Sequence, residues 1–450
     1  MKKIFLFIGL LTFSILACTK IQEQPSQTNI PTSKNVDNPI INVNIAPPPD
    51  TTFRPIVMVH GFLASGDTYA SFAQRFTSNG YKWNKIHTFD WNSLAPGAND
   101  VPNLDKFIDN VLQKTGYKQV ELIGHSAGGG VCYNYLKDTK RAAKVAHYVH
   151  TASSSQSGPA GATGEVPTLN LWSDSDKAVA GTNITGATNV KLSGFDHYQV
   201  ATSAESFAAA YEFFKNEKPK TTTINWEAAP CMGGKVVSFG ENQAIVGAAI
   251  NIYELNTKTG ERISQTPIHT LISDKEGKWN PVLIKPNVNY EVTVKEQGAG
   301  KKTLHYYREG FIHNNFLVYL RVIPPPGSLA GFLLSGLPTN PEQSILNVFA
   351  SSQAIINGRD SLKVDGEILS TPQIAPASKT MISLFLYDNN KNQKSDFTAI
   401  PLYSSFTFLN GIDQFFDASK NTPIEVKMNN RSLMIQRWKA SEDINVAVFD

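Results

Sequence analysis

The stretch VELIGHSAGGGVCYNYL, Val120 to Leu136, constrains this chain more than any other part of it. It sets Ser126 between Gly124 and Gly128, directly after a run that reads as a buried strand and directly before one that reads as a helix. A strand-to-helix turn needs no such residues for its own sake. A serine held at the apex of a tight, strained turn does, because the backbone crowds the flanking positions and only small residues fit there. Such a turn lifts the serine Oγ to the end of a sheet. It also aims the next helix's N-terminus at that oxygen, where backbone N–H groups can receive negative charge. Gly124-His125-Ser126-Ala127-Gly128 therefore matches G-x-S-x-G in the context that pattern demands, with Ser126 as the nucleophile.

From Arg54 to Lys215 short apolar runs alternate with helical ones, the mark of a mostly parallel sheet flanked by helices. Leu104, Phe107, Ile108, Val111 and Leu112 share one helix face, closed by Gly116 as a C-cap. ESFAAAYEFF reads as a closing helix, with Thr202 and Glu205 in capping-box positions. After NEKPKTTT the rhythm changes to strand-like runs such as YEVTVKE and FLVYLRVI, broken by Gly, Asn, Asp and Pro. An all-β region of one or two antiparallel, sandwich- or barrel-like domains is expected there, divided near Pro324 to Pro326. The expected organisation is 51–220 for the α/β unit, 221–323 for a first β domain and 324–450 for a second.

At 450 residues more than one core is expected, and 18% charged residues with a net charge of +3 do not suit a nucleic-acid binder. The first residues carry two lysines and then an apolar run, Ile4 to Ala17, of signal-peptide length. Ile15-Leu16-Ala17-Cys18 resembles the bacterial lipobox, which implies cleavage after residue 17 and acylation of Cys18. Residues 18–50 then read as an extended tether, and a cell-envelope lipoprotein in a membrane, most simply the outer one, is expected. Sequence alone neither pairs Cys132 and Cys231 nor leaves them free.

A serine hydroxyl is a poor nucleophile until a base takes its proton. Of the nine histidines, His197 follows a strand end on the sheet face that presents Ser126. His60 and His125 belong to their own motifs, His147 and His150 lie in a strand, and the others precede the serine or lie in the β region. The residue orienting His197 comes from LWSDSDKAV: Asp176 is preferred, with Asp174 as the alternative. Ser, Asp, His is then the chain order. The oxyanion is expected to meet the backbone N–H groups of Ala127 and, in the loop HGFLASG, of Phe62. Each such donor is typically worth about 3 to 4 kcal/mol of barrier.

VMVHGF, ELIGHSAGG, LWSDSD and GFDHYQV together resemble bacterial lipases of the small α/β-hydrolase type. RAAKVAHYV, SAESFAAAYEFF and TLHYYREGFIHNNFLVYLRV extend the resemblance to archaeal lipases with a β-rich C-terminal domain. It implies an α/β-hydrolase fold, hydrolysis of carboxylic esters without metal or organic cofactor, and a β domain that helps engage long acyl chains. Two departures stand out. Ala152 occupies the strand end where those lipases carry their acid, and the link between TFDW and Asn103 leaves little room for a lid. DNNKNQKSD, Asp388 to Asp396, has the spaced oxygens of a calcium loop but lacks its glycine and, at Ala399, its final acid, and reads as a hydrophilic turn. The aromatic run HYYREGFIHNNF suits acyl contact and core packing equally. A monomeric, lipid-anchored ester hydrolase is the expectation. The alternatives are a polyester or glycan-ester hydrolase with a binding module, and a catalytically silent surface binding protein.

Overall fold

Short apolar runs without polar alternation need burial on both faces, which a parallel sheet between two helix layers supplies. The computed structural model describes residues 53–450; the apolar run Ile4–Ala17, Cys18 and the expected tether lie outside the described residues. The first unit runs β1 (Ile56–Val59), α1 (Ala70–Ser78), β2 (Ile86–Phe89), α2 (Asp100–Thr115), β3 (Val120–His125), α3 (Ala127–Leu136) and α4 (Thr139–Ala142). It continues with β4 (Val145–Thr151), β5 (Thr168–Trp172), β6 (Thr188–Lys191), α5 (Gln199–Thr202) and α6 (Ala204–Lys215). The strands form one parallel sheet in the order β2-β1-β3-β4-β5-β6. This is an α/β-hydrolase sheet. Leu104, Ile108 and Val111 of α2 pack with Cys132 and Tyr135 of α3 on one face, and Phe72 and Phe76 of α1 with Phe207 and Phe214 of α6 on the other.

Helix ends follow local chemistry. Gly116 closes α2 at φ 73°, a left-handed value glycine adopts without strain, and its N–H donates to Leu112 O. The cap of α6 falls one residue later than the capping-box pattern suggests: Ser203 Oγ accepts from Ser206 N–H at 3.1 Å. Thr202 ends α5 instead, and its hydroxyl donates to Ser352 O of the β region at 2.5 Å. A tertiary contact has taken the hydroxyl that the local pattern assigned to the cap.

The β region runs β7 (Cys231–Ser238), β8 (Ala249–Glu254), β9 (His269–Ile272), β10 (Lys278–Leu283), β11 (Tyr290–Lys295), β12 (Thr303–Arg308) and β13 (Asn315–Val322). A short helix α7 (Leu329–Leu334) precedes β14 (Leu346–Ala350), β15 (Leu362–Val364), β16 (Glu367–Ile368) and β17 (Ser383–Tyr387). The chain ends with β18 (Leu409–Asp413), β19 (Ile424–Met428), β20 (Arg431–Ile435) and β21 (Asp443–Phe449). Three sheets result: β10-β7-β13, β18-β17-β14-β21-β12-β11-β8-β9 and β16-β15-β19-β20. Strands from both sides of Pro324–Pro326 share the eight-stranded sheet, because β21 inserts between β12 and β14, parallel to both. β7 with β13 and β17 with β18 are parallel too, so pairing is not antiparallel throughout. Hairpins force antiparallel neighbours, whereas strands joined by long connections are free to run either way.

The β region docks on the hydrolase sheet through buried polar contacts. Arg321 Nη2 lies 2.6 Å from Asp67 Oδ1, Lys235 Nζ 2.5 Å from Asp90 Oδ2, and Arg359 Nη1 2.7 Å from Asp196 Oδ2. Among the described residues no helix is long and apolar enough to cross a membrane.

Candidate active site

The chain leaves β1 for β2 on one side and later returns to β3 on the other, so a crevice opens at the C-terminal ends of β1 and β3. His60 to Phe62 follow β1 there, and Ser126 follows β3. Ser126 has φ 53° and ψ −124°, a conformation that non-glycine residues adopt only when the surroundings enforce it. Its carbonyl accepts from Gly129 N–H at 2.9 Å and from Ser153 Oγ at 2.6 Å. The flanking glycines are dictated by space. A Cβ on Gly128 would stand 2.4 Å from the carbonyl oxygens of Val59 and His60, and one on Gly124 would stand 2.9 Å from Cys132 Sγ. Gly61 is equally constrained, since its Cβ would lie 2.9 Å from Ser126 Cβ.

His197 is 1% exposed, and its Nδ1 lies 2.7 Å from Asp176 Oδ2. Asp176 Oδ1 accepts from Ala178 and Val179 N–H at 2.8 and 3.0 Å, so both carboxylate oxygens are occupied and the group is fixed. Asp174 is exposed and faces Lys191 Nζ at 2.8 Å. The His197 loop abuts the residue before Ser126. His125 Nε2 is 3.1 Å from His197 O, and the two rings lie 4.7 Å apart. Burial, and then the neighbouring His197, hold the His125 pKa well below the usual imidazole range, so His125 stays neutral and donates from Nε2. Ala127 opens α3, and Phe62 packs beside Tyr198 and Phe408.

Several residues at the site carry no local signal in the sequence. Phe408 stacks on the His197 ring at 5.5 Å and 15° from more than 200 residues downstream, and it meets Tyr198 edge-on. Asp196 Oδ2 accepts from Ala354 N–H and from Arg359, tying the loop to the β region. Phe408 also lines an apolar cavity of about 70 Å³ with Leu63, Leu304, Tyr306, Leu334 and Phe349. Tyr306 of the aromatic run lines the cavity, while Tyr307 is fully buried in a core.

Cys132 is a buried free thiol, raised well above its usual pKa by burial, and is therefore not paired with Cys231. The loop Asp388–Asp396 closes on itself. Asn390 and Asn392 amides donate to Asp396 Oδ2 at 2.6 and 2.8 Å, and Gln393 N–H donates to Asp388 at 2.8 Å. Among the described residues no group of three or more His, Cys, Asp or Glu side chains is arranged to hold a metal ion.

Residues 53–167 match the family model described as lipase (class 2), residues 231–325 the lipase C-terminal domain, and residues 347–448 a further C-terminal domain model. Lysosomal thioesterase PPT2-B of Xenopus laevis is 29% identical over 90 residues, which span 19% of this chain and only 31% of that relative. Among solved structures, Bacillus licheniformis lipase BlEst2 has 15% identity over 36% of this chain and 91% of its own, with a TM-score of 0.29. Carboxylesterase CesB from Bacillus subtilis has 11% identity over 38% and 86%, with a TM-score of 0.29. An esterase from Exiguobacterium antarcticum has 16% identity over 37% and 93%, also with a TM-score of 0.29. Two lipase models thus match this chain in sequence, the class 2 lipase over the first part of its α/β unit and the lipase C-terminal domain over the first part of its β region.

Proposed function

We propose that the chain hydrolyses carboxylic esters through an acyl-enzyme formed on Ser126. Asp176 accepts a hydrogen bond from His197 Nδ1–H, which leaves Nε2 as the base. His197 takes the Ser126 proton as Oγ attacks the ester carbonyl carbon, and the oxyanion gathers hydrogen bonds from Phe62 and Ala127 N–H. Collapse breaks the bond to the alcohol, which leaves with the proton held by His197. Water then repeats the attack with the same base and releases the acid. The observation carrying this reading is the buried 2.7 Å Asp176–His197 pair set against the strained Ser126 turn. A fluorophosphonate probe should label the full chain once, at Ser126, and Ser126→Ala should abolish both labelling and p-nitrophenyl butyrate turnover. A labelled Ser126→Ala protein would refute the assignment.

The apolar cavity shared by Leu63, beside the oxyanion loop, and Phe408, against His197, supports acyl-chain binding by the β region. Leu334→Trp should fill part of it. Turnover of p-nitrophenyl palmitate should then fall about tenfold or more, while p-nitrophenyl acetate stays within about twofold, since a chain of two carbons does not reach the cavity. Equal losses on both esters would remove the cavity from the substrate path. The lipobox-like Ile15-Leu16-Ala17-Cys18 supports anchoring at a membrane of the cell envelope, and release of Cys18→Ala into the soluble fraction tests it.

A further inference from the structure

We propose that Asn242, a residue of the β region, is a positioning residue that holds the oxyanion loop in its working shape; this rests on the serine-hydrolase reading above. The peptide unit between Gly61 and Phe62 has its carbonyl on one side and, being trans, the Phe62 N–H on the other. Whatever grips Gly61 O therefore decides where the Phe62 N–H points. His60 grips it: Nδ1 lies 2.9 Å from Gly61 O, and Nε2 accepts from Trp91 N–H at 3.1 Å, which fixes the ring as the Nδ1–H tautomer. Burial lowers the pKa of His60, so the ring stays neutral and keeps this division of roles.

The carbonyls that shape the loop around this ring converge on one amide from the turn after β7. Asn242 Nδ2 donates to Ala64 O at 2.8 Å and to Trp91 O at 3.0 Å, with His60 Nε2 3.3 Å away. Ser65 Oγ donates to Asn242 Oδ1 at 2.5 Å, which fixes which end of the amide faces the carbonyls. Asn242 thus satisfies both arms of the loop, 60–65 and 91, from 177 residues or more downstream of the first arm. It stands at φ 58°, a left-handed turn position that asparagine tolerates and glycine adopts freely. Without the amide, Ala64 O loses this donor and Trp91 O keeps Ser93 N–H at 3.1 Å, so the loop is freer to turn the Gly61–Phe62 peptide over.

Asn242→Gly in the full chain removes the side chain without straining the backbone. Active sites are counted by the nitrophenol burst with diethyl p-nitrophenyl phosphate, and turnover of p-nitrophenyl butyrate is expressed per counted site. The expected result is a fall in kcat of about tenfold or more with KM within about twofold, because an oxyanion donor acts in the transition state. A merely structural role would lower the number of counted sites or the melting temperature and leave kcat per site unchanged. Asn242→Asp, which sets a carboxylate oxygen against Ala64 O and Trp91 O, should lose kcat in the same way and serves if the glycine variant does not fold. Wild-type kcat per site in either folded variant overturns the role of Asn242. If the wild type still gives a burst that Ser126→Ala lacks, the hydrolase reading stands regardless; no burst from the wild type would overturn both.

Discussion

Two aspartates of one loop, Asp174 and Asp176, have different surroundings, and the difference decides which can serve His197. Asp176 is buried, with one oxygen on His197 Nδ1 and the other on two backbone N–H groups, whereas Asp174 points to solvent beside Lys191. Replacing Asp176 by Asn offers His197 an amide that can donate, which favours the wrong tautomer and turns Nε2 from base to donor. Asp176→Asn should cost about 10³- to 10⁴-fold in kcat, and Asp174→Asn should change it less than about twofold, on p-nitrophenyl butyrate. A reversed order would make Asp174 the orienting group. Sequence could prefer one of the pair but not decide, since the decision lies in burial. The turn at Ser126 is more legible because its constraint is local: Gly124 and Gly128 are small on account of neighbours a few residues away or on the adjacent strand. Phe408 and Asn242 reach the same site from elements with no spacing rule to connect them, and nothing in the sequence around either marks it.

At the scale of elements, the helix faces and caps of the hydrolase unit follow from periodicity, as α2 with its Gly116 end illustrates. The β sheets are less legible, because alternation identifies a strand but not its neighbour. The last strand, β21, is the clearest case: its insertion beside β12 brings Asp443 to His305, which no local pattern foretells. There Arg262, Glu291, His305 and Asp443 form a buried chain of charges, with Arg262 on Glu291 at 2.5 and 2.9 Å and His305 Nδ1 on Glu291 at 2.5 Å. Burial alone would lower the His305 pKa, but hydrogen bonds to Asp443 and Glu291 outweigh it and raise it above 6.5. A group whose folded pKa is raised stabilises fully below its unfolded pKa, and the gain is lost as pH rises through the folded value. His305→Gln should therefore destabilise the protein more at pH 5 than at pH 8, read from melting temperatures of variant and wild type. Glu291, held below its usual range by Arg262 and His305 against its burial, contributes the opposite slope only at more acid pH. An equal loss at pH 5 and pH 8 would mean that folding does not raise the His305 pKa.

For the molecule as a whole, the question is whether the hydrolase unit and the β region unfold together. Their contact places charges in burial: Lys235 of β7 and Tyr319 of β13 both reach Asp90, just past β2, and Asp90 Oδ1 accepts from Gly66 N–H at 2.9 Å. In sequence Asp90 is an ordinary charge past a strand end and Lys235 another within a strand, so the docking is not legible there; only folding shows that each is the other's partner. A buried ion pair is weak evidence of net stabilisation, yet breaking one is costly because the remaining charge stays without a partner. Lys235→Met should leave the Asp90 carboxylate uncompensated and cost about 3 to 5 kcal/mol. The double variant with Asp90→Asn should recover much of that loss, because the two residues are directly coupled and their effects do not add. Calorimetry distinguishes two outcomes for the single variant. If the units share one cooperative structure, the whole transition moves down as a single peak. If they melt independently, the peak splits or the higher-melting unit keeps its temperature, and the coupling of the oxyanion loop to the β region would then hold only while the interface stays closed.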